Sequence, residues 1–569
     1  MSRHGLLRAV IDASLIFFLV TAACIPLIIY GPQTGHDLPL ILPWAQLFAD
    51  QVLQGDLYPR WLQAMYGGAG APVFFYYGPA PFYFTTIGNI TCGSCAPLVQ
   101  LGIGQWLIVL SSAYSFYYFA SHHVHRPAAI FGALLYALAP YHFSVDLLFR
   151  QAMAEASAYI WMPLIFAFLD RMAAGRRLDA GLALSFALLL LSHLPLALLS
   201  APFYAIYALL LLKNSRMPWL LMHYFSAFIV GVLLASCYLV PALFTQDMIS
   251  VEKLWTGNFD YRNWFLFDDK NLNNKKHFLE VAVVSAVLFL LIWAANFLVT
   301  WRANARLLCF TLLVVVVCWL MMTPLSYSLW DALPLLQKVQ FPWRFLVLQD
   351  FALVTALTIL LGQASLGGNK APLVYSAIAA VLVAVVTGYY LSAGYERHLS
   401  LRGDADNRKL YERYLEHGFG PPEHLPDSVN VPRGVLLANM TDLKAVNYDI
   451  GTGSIREENW RPRNISLSVD LERPSTVYIK QLYYPGWHAY IESADGISDV
   501  AISSHPNFGL ITLDLPPGNY RVNIELEALW SERLGWAATV LGAILLGVLC
   551  YLARAARESP EANARKPDL

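Results

Sequence analysis

The hydrophobic pattern along this chain is built from long apolar stretches separated by short polar ones. The first, Leu7 to Tyr30, follows Arg3 and Arg8 and runs into Pro26-Leu27-Ile28-Ile29 instead of the small residues of a cleavage site, so it predicts a retained membrane span. Further stretches of bilayer length lie near 98–120, 127–145, 152–169, 179–196, 197–213, 219–242, 279–298, 305–323, 343–362, 371–391 and 533–554. Together they predict a polytopic helical protein of about twelve spans. Pro195 and Pro202 leave open whether 179–213 holds two short spans or one long kinked helix.

Charge placement orients the spans. Arg126, then Arg171, Arg176 and Arg177, then Lys213 and Arg216, then Arg302 and Arg306, then Lys370, and finally Arg554 and Arg557 follow even-numbered spans. Positive residues beside short loops mark the cytoplasmic side, which predicts that both termini are cytoplasmic. The long segments 31–97, 243–278, 324–342 and 392–532 then fall outside, and loops of such length are usually folded or functional.

Composition agrees with a membrane protein. Hydrophobic residues make up 57% of the 569 positions and charged ones only 14%, against about 25% charged in soluble domains. The formal net charge of −1 leaves no basic field for nucleic acid.

Three regions follow from this. Residues 1–391 form a membrane module that includes the first external loop, 31–97. Residues 392–532 form an external β-rich domain, and 533–569 supply the last span and a cytoplasmic tail. In the external domain, Ile465–Val469, Val477–Leu482, Leu510–Leu515 and Tyr520–Glu525 alternate with period two around Pro485-Gly486 and Pro516-Pro517-Gly518, which predicts an antiparallel sandwich. A short helix is expected near Arg408–Glu416. The run Tyr483, Tyr484, Trp487 and Tyr490 reads either as sheet packing or as a sugar-binding surface. Five of the seven cysteines lie in spans, whereas Cys92 and Cys95 lie outside, where a local disulfide can form.

Ionisable residues at span ends are the candidates for chemistry. Asp37, in Gly35-His36-Asp37, stands just past the first span, placed either to act as a base at the membrane surface or to cap the helix that begins near Pro39. Asp56 to Trp61 brings Tyr58, Arg60 and Trp61 together; interface anchoring explains the aromatics but not Arg60. Asp146, Arg150 and Glu155 lie at the ends of the third and fourth spans, as an internal ion pair or a site for a charged substrate. His193 lies at the end of the fifth, and Asp247 opens the second long loop. In Phe341-Pro342-Trp343-Arg344-Phe345 the guanidinium is placed either to clamp phosphate in a bidentate fork or to snorkel to headgroups.

These segments, with Gly70 to Tyr77, Leu191-Ser192-His193 and Tyr483 to Trp487, resemble bacterial membrane proteins of the membrane 6-pyruvoyl-tetrahydropterin synthase-related family. They also resemble the wider class of GT-C fold glycosyltransferases and YfhO-like membrane proteins. A pterin chemistry does not follow from the family's name, because His122, His123 and His125 sit at a cytoplasmic span end and not in a compact zinc site. The resemblance implies transfer of a sugar from a polyprenyl-phosphate donor to an envelope lipid or glycan acceptor on the outer face of the bacterial inner membrane, with inversion. Asp37 would be the base. Arg344, Arg150 and Arg60 would bind donor phosphate, and His36, Glu155, His193, Asp247, Tyr58, Trp61 and Trp343 would orient sugar or acceptor. Some members of the class pair acidic residues in the first loop to hold a divalent metal; here Asp50 and Asp56 come only much later than Asp37, so a metal site is left open. A lipid-linked glycan transporter and a non-catalytic envelope scaffold are the alternative functions, although no internal repeat supports transport.

Overall fold

A computed structural model describes residues 3–558 apart from 176–178, 213–218, 271, 300, 364–369, 401–406, 417–419, 441–442, 449–452 and 495. Arg176, Arg177, Lys213 and Arg216 of the charge pattern therefore lie outside the described residues. Ten described helices are long and apolar enough to cross a membrane: Gly5–Tyr30, Pro97–Ala120, Arg126–Arg150, Met153–Ala173, Leu194–Leu212, Asn274–Leu298, Asn304–Met322, Pro342–Gly362, Ala377–Glu396 and Trp530–Leu552. The protein is a multi-pass membrane protein.

The expected count of twelve needs correction at two places. Ala180–Ser192 has 13 residues, a rise of about 20 Å, short of a hydrocarbon core of about 30 Å. The chain leaves the helix at His193, which is extended, and restarts at Leu194 with Pro195 in the first turn, where a missing N–H costs least. Pro202 remains inside the second helix. The stretch 219–242 is broken into Leu220–Leu234 and Ser236–Phe244, bent by 69°. Pro241 cannot donate to the carbonyl four residues back, and the Cys237 carbonyl instead accepts from Arg60 Nη2 at 2.7 Å. The Cys237 N–H, next to the break, donates to Thr539 Oγ1 at 2.8 Å. A partner outside the helix satisfies each of these two groups, as a low-dielectric setting requires.

The third span also departs from a plain helix. After Ala137 it continues as a π-helix over Pro140–Arg150, so Asp146 and Arg150 lie within the span and not beyond it. Wide turns of this kind are rare and concentrate at functional sites.

The strands are β1 (Val446–Tyr448), β2 (Gly453–Arg461), β3 (Asn464–Leu471), β4 (Ser475–Leu482), β5 (Trp487–Ser493), β6 (Gly496–Val500), β7 (Ile502–Ser504), β8 (Leu510–Leu515) and β9 (Gly518–Leu526). They form two antiparallel sheets, ordered β1-β4-β8-β7 and β2-β3-β9-β5-β6. The four expected strands are β3, β4, β8 and β9, and the expected short helix is Asn407–Glu416. The helix before this region runs on as Lys370–Ser400, past the expected end at 391.

The strand region does not stand apart from the membrane module. Trp61, Leu62, Met65, Phe74 and Phe75 of the first loop share one buried core with Leu482, Tyr484 and Trp487. Trp61 Nε1 donates to Gln481 Oε1 at 2.9 Å, and the Leu482 N–H to the Ala69 carbonyl at 2.6 Å. Tyr484 and Trp487 thus follow the packing reading.

Candidate functional site

Four chain segments converge on Glu155. The π-helix brings Tyr141, Asp146 and Arg150 to it; Glu155 itself is in the first turn of Met153–Ala173. Arg344 arrives from the turn Pro342–Phe345, and Asp37 from the loop after the first span. Glu155 Oε2 accepts from Arg150 Nη1 at 3.0 Å and from Arg344 Nε at 3.1 Å, while Oε1 accepts from the Tyr141 hydroxyl at 2.8 Å. Arg150 Nη1 also donates to Asp146 Oδ1 at 2.7 Å. Glu155, Arg150, Asp146 and Arg344 are all buried. Charges removed from water must be compensated by opposite charge and hydrogen bonds, and these four side chains compensate one another.

Arg344 is aimed by its neighbours. Its Nη1 donates to the Val339 carbonyl at 2.5 Å and to Gln340 Oε1 at 3.4 Å, and its guanidinium lies 5.1 Å from the centre of the Phe341 ring. Phe341 stacks on Trp343 at 4.6 Å, and Trp343 on Phe278 at 4.2 Å. Nη2 of Arg344 and of Arg150 has no hydrogen-bond partner among the described residues. The positive charge is therefore held in place without using up every donor, and snorkelling alone does not describe it.

Asp37 occupies the N-cap position of the helix Leu38–Leu53, but its side chain makes no capping bond. The cap is made by its backbone, whose carbonyl accepts from the Leu40 and Ile41 N–H groups at 3.0 and 2.8 Å. Its own N–H donates to the Arg150 carbonyl at 2.8 Å, which ties the loop to the end of the π-helix. Gly35 permits this approach: its φ is +152°, and a Cβ there would meet Gln151 Cγ at 2.1 Å. Gln151 is itself left-handed, with φ 62°, and accepts from Gln105 Nε2 at 2.6 Å. The Asp37 carboxylate accepts no hydrogen bond from the described residues. It is half-buried, and burial raises its pKa against the opposing pull of Arg150, His36 and Arg344. A carboxylate in that condition is a stronger base than a free aspartate once it is ionised.

His193, at the helix break, lies within range of the charges of Glu155, Arg344 and Arg150. Its Nδ1 accepts from the Leu196 N–H at 3.3 Å. Exposed His36 flanks Asp37, its ring 4.7 Å from that of Phe149.

The remaining expected site residues lie elsewhere. Arg60 pairs with Glu532 Oε2 at 2.9 Å, covers the Tyr58 ring at 3.9 Å and donates to Cys237. Arg463 grips the same Glu532 at 3.0 and 3.1 Å. Arg60 thus joins the first loop to the last helix and to the helix Ser236–Phe244, and is not brought to Arg150 and Arg344. Tyr58 and Trp61 belong to the same joint, and Asp247 is exposed in the turn Gln246–Met248. Cys92 and Cys95 are disulfide-bonded. No group of three His, Cys, Asp or Glu side chains that could hold a metal ion occurs among the described residues; the positive charge facing Asp146 and Glu155 comes from arginine.

Sequence reasoning passed over three contributors. Asp350, buried in Pro342–Gly362, accepts from the Tyr159 hydroxyl at 3.1 Å. A carboxylate in an apolar span was the available signal. Tyr77 lies within range of Asp37, Arg344, Arg150 and Glu155. Glu423, from the segment before the strands, also senses the Asp37 charge. A scan against protein-family models and a search of curated proteins find no match to this chain.

Proposed function

We propose that this protein is an inverting glycosyltransferase of the GT-C kind, moving a sugar from a polyprenyl-phosphate donor to a lipid or glycan acceptor at the outer face of a bacterial inner membrane. The observation that carries the reading is the Asp37 carboxylate, half-buried and without a hydrogen-bond partner among the described residues, beside two buried arginines. An acceptor hydroxyl gives its proton to Asp37 as its oxygen attacks the sugar's anomeric carbon. The bond from that carbon to phosphate breaks, and the electron pair leaves on the phosphate. Charge grows on the departing oxygen, where fixed cations stabilise the transition state more than water does; Arg344 and Arg150 fill that role, with Glu155 and Asp146 holding them in position. Arg60 is left out of the chemistry because its charge faces Glu532.

The test is to follow sugar loss from a panel of polyprenyl-phosphate sugars by mass spectrometry, with protein in lipid nanodiscs and an envelope lipid extract as acceptor source. R344K and R150K are expected to lower turnover, since lysine keeps charge but loses the planar fork. Unchanged turnover in both would remove the arginines from the mechanism, and sugar loss from no donor would favour a scaffold or transporter.

A further inference from the structure

Where the first loop meets the segment leading into the strands, three buried polar atoms lack a hydrogen-bond partner among the described residues: Trp44 Nε1, Glu423 Oε2 and His424 Nδ1. The residues are 2, 7 and 5% exposed. The His424 ring stacks on Trp44, centres 5.7 Å apart and planes within 17°, and Tyr77 packs against Trp44 at 5.0 Å. The indole donor and the imidazole nitrogen are carried on stacked rings, the carboxyl oxygen belongs to the residue before His424, and each leaves its hydrogen-bonding capacity unmet at a cost.

The segment that carries them is fixed from two sides. Tyr66 donates to the Pro421 carbonyl at 2.6 Å; on the other side the Ser250 N–H donates to Leu425 at 3.1 Å and the Asp427 N–H to Met248 at 3.0 Å. Trp44 stands seven residues along the helix that Asp37 caps, so the unmet groups lie about two helical turns, or ~10 Å, from the candidate base.

We infer that Trp44, Glu423 and His424 form a subsite for the hydroxyl groups of a pyranose unit, two turns from Asp37 along the same helix. A sugar offers donors and acceptors on neighbouring ring carbons, which suits a carboxyl oxygen, an imidazole nitrogen and an indole N–H, and its apolar ring face suits an aromatic wall. A phosphate is the wrong ligand, because Glu423 would face it with like charge or compete for its cations. The inference names the substrate class for the transferase reading and so rests on it, but binding does not require turnover.

The experiment is saturation-transfer NMR on the full chain in nanodiscs, titrated with methyl glycosides of glucose, galactose, mannose, N-acetylglucosamine and arabinose, with sorbitol as control. At least one glycoside, and not sorbitol, is expected to bind in the millimolar range to the native protein. E423Q and W44F should each weaken it roughly tenfold, the loss of one buried hydrogen bond to the ligand; W44F keeps the packing if E423Q fails to fold. No binding by any glycoside, or equal affinity in native protein, E423Q and W44F, overturns the subsite. Glycoside binding without turnover of any donor overturns the transferase reading and leaves the subsite standing.

Discussion

Glu155 Oε2 lies 3.1 Å from Arg344 Nε although the two residues are 189 positions apart in the chain, and the same oxygen accepts from Arg150 Nη1 at 3.0 Å. One buried carboxylate therefore fastens the turn before Leu346 to the end of the π-helix. Removing it would leave two guanidinium groups buried with a single remaining carboxylate, Asp146, on one of them. E155A should destabilise the protein by about 3–5 kcal/mol, read as a large drop in the unfolding temperature in detergent. An unfolding temperature equal to the native one would mean that Glu155 is not the fastening group.

Glu423 gives a pH signature. Burial pushes its pKa from an ordinary 4.5 up to about 7, opposed by Arg433 and Lys253 and reinforced by Asp37. The folded chain then holds a proton that the unfolded chain releases, so this group's contribution to stability falls as pH rises from about 4.5 to about 7 and is flat above. E423Q removes that titration. It should match the native protein near pH 4 and exceed it at pH 8 by on the order of 3 kcal/mol at most. His424, lowered to about 4, titrates in both proteins and cancels in the difference. Thermal unfolding of the pair across that range is the measurement, and a difference independent of pH would contradict it.

Arg60 separates structure from donor binding. Its pairing with Glu532 and its bond to the Cys237 carbonyl join three parts of the chain, while Arg463 keeps Glu532 compensated when Arg60 is gone. R60A should cost about 2–3 kcal/mol and leave polyprenyl-phosphate affinity unchanged. A loss of affinity at native stability would return Arg60 to the donor site.

Gly35 sets the position of Asp37. Alanine at φ +152° is strained, and its Cβ would meet Gln151 Cγ at 2.1 Å. G35A should therefore lower turnover per folded molecule by roughly tenfold or more, since displacing the proposed base by about 1 Å is costly, with a smaller effect on unfolding temperature. Native turnover in G35A would show that the loop tolerates displacement.

What the sequence made legible was local. Apolar runs revealed most spans, period-two runs revealed β3, β4, β8 and β9, and Asp146, Arg150 and Glu155 stand within ten positions of one another. Arg344 was recognisable as a charge at a span start, but its union with Glu155 depends on how distant helices pack. Arg60 misled for the same reason: its partner Glu532 sits near the other end of the chain, and a lone arginine among aromatics looks like a ligand-binding group. Glu423 and His424 lie in an irregular stretch, Pro421-Pro422-Glu423-His424, where no periodicity marks which side chains are buried. Pro195 marked a possible restart within 179–213, but apolar composition alone does not show that the first of the two helices has only 13 residues.

The most direct test of the central role of Asp37 compares native protein with D37N in nanodiscs, following sugar loss from polyprenyl-phosphate donors by mass spectrometry and donor binding in parallel. Turnover by the native protein that disappears in D37N, with donor binding and unfolding temperature preserved, is the expected result. Equal turnover in D37N would contradict the assignment of Asp37 as the base.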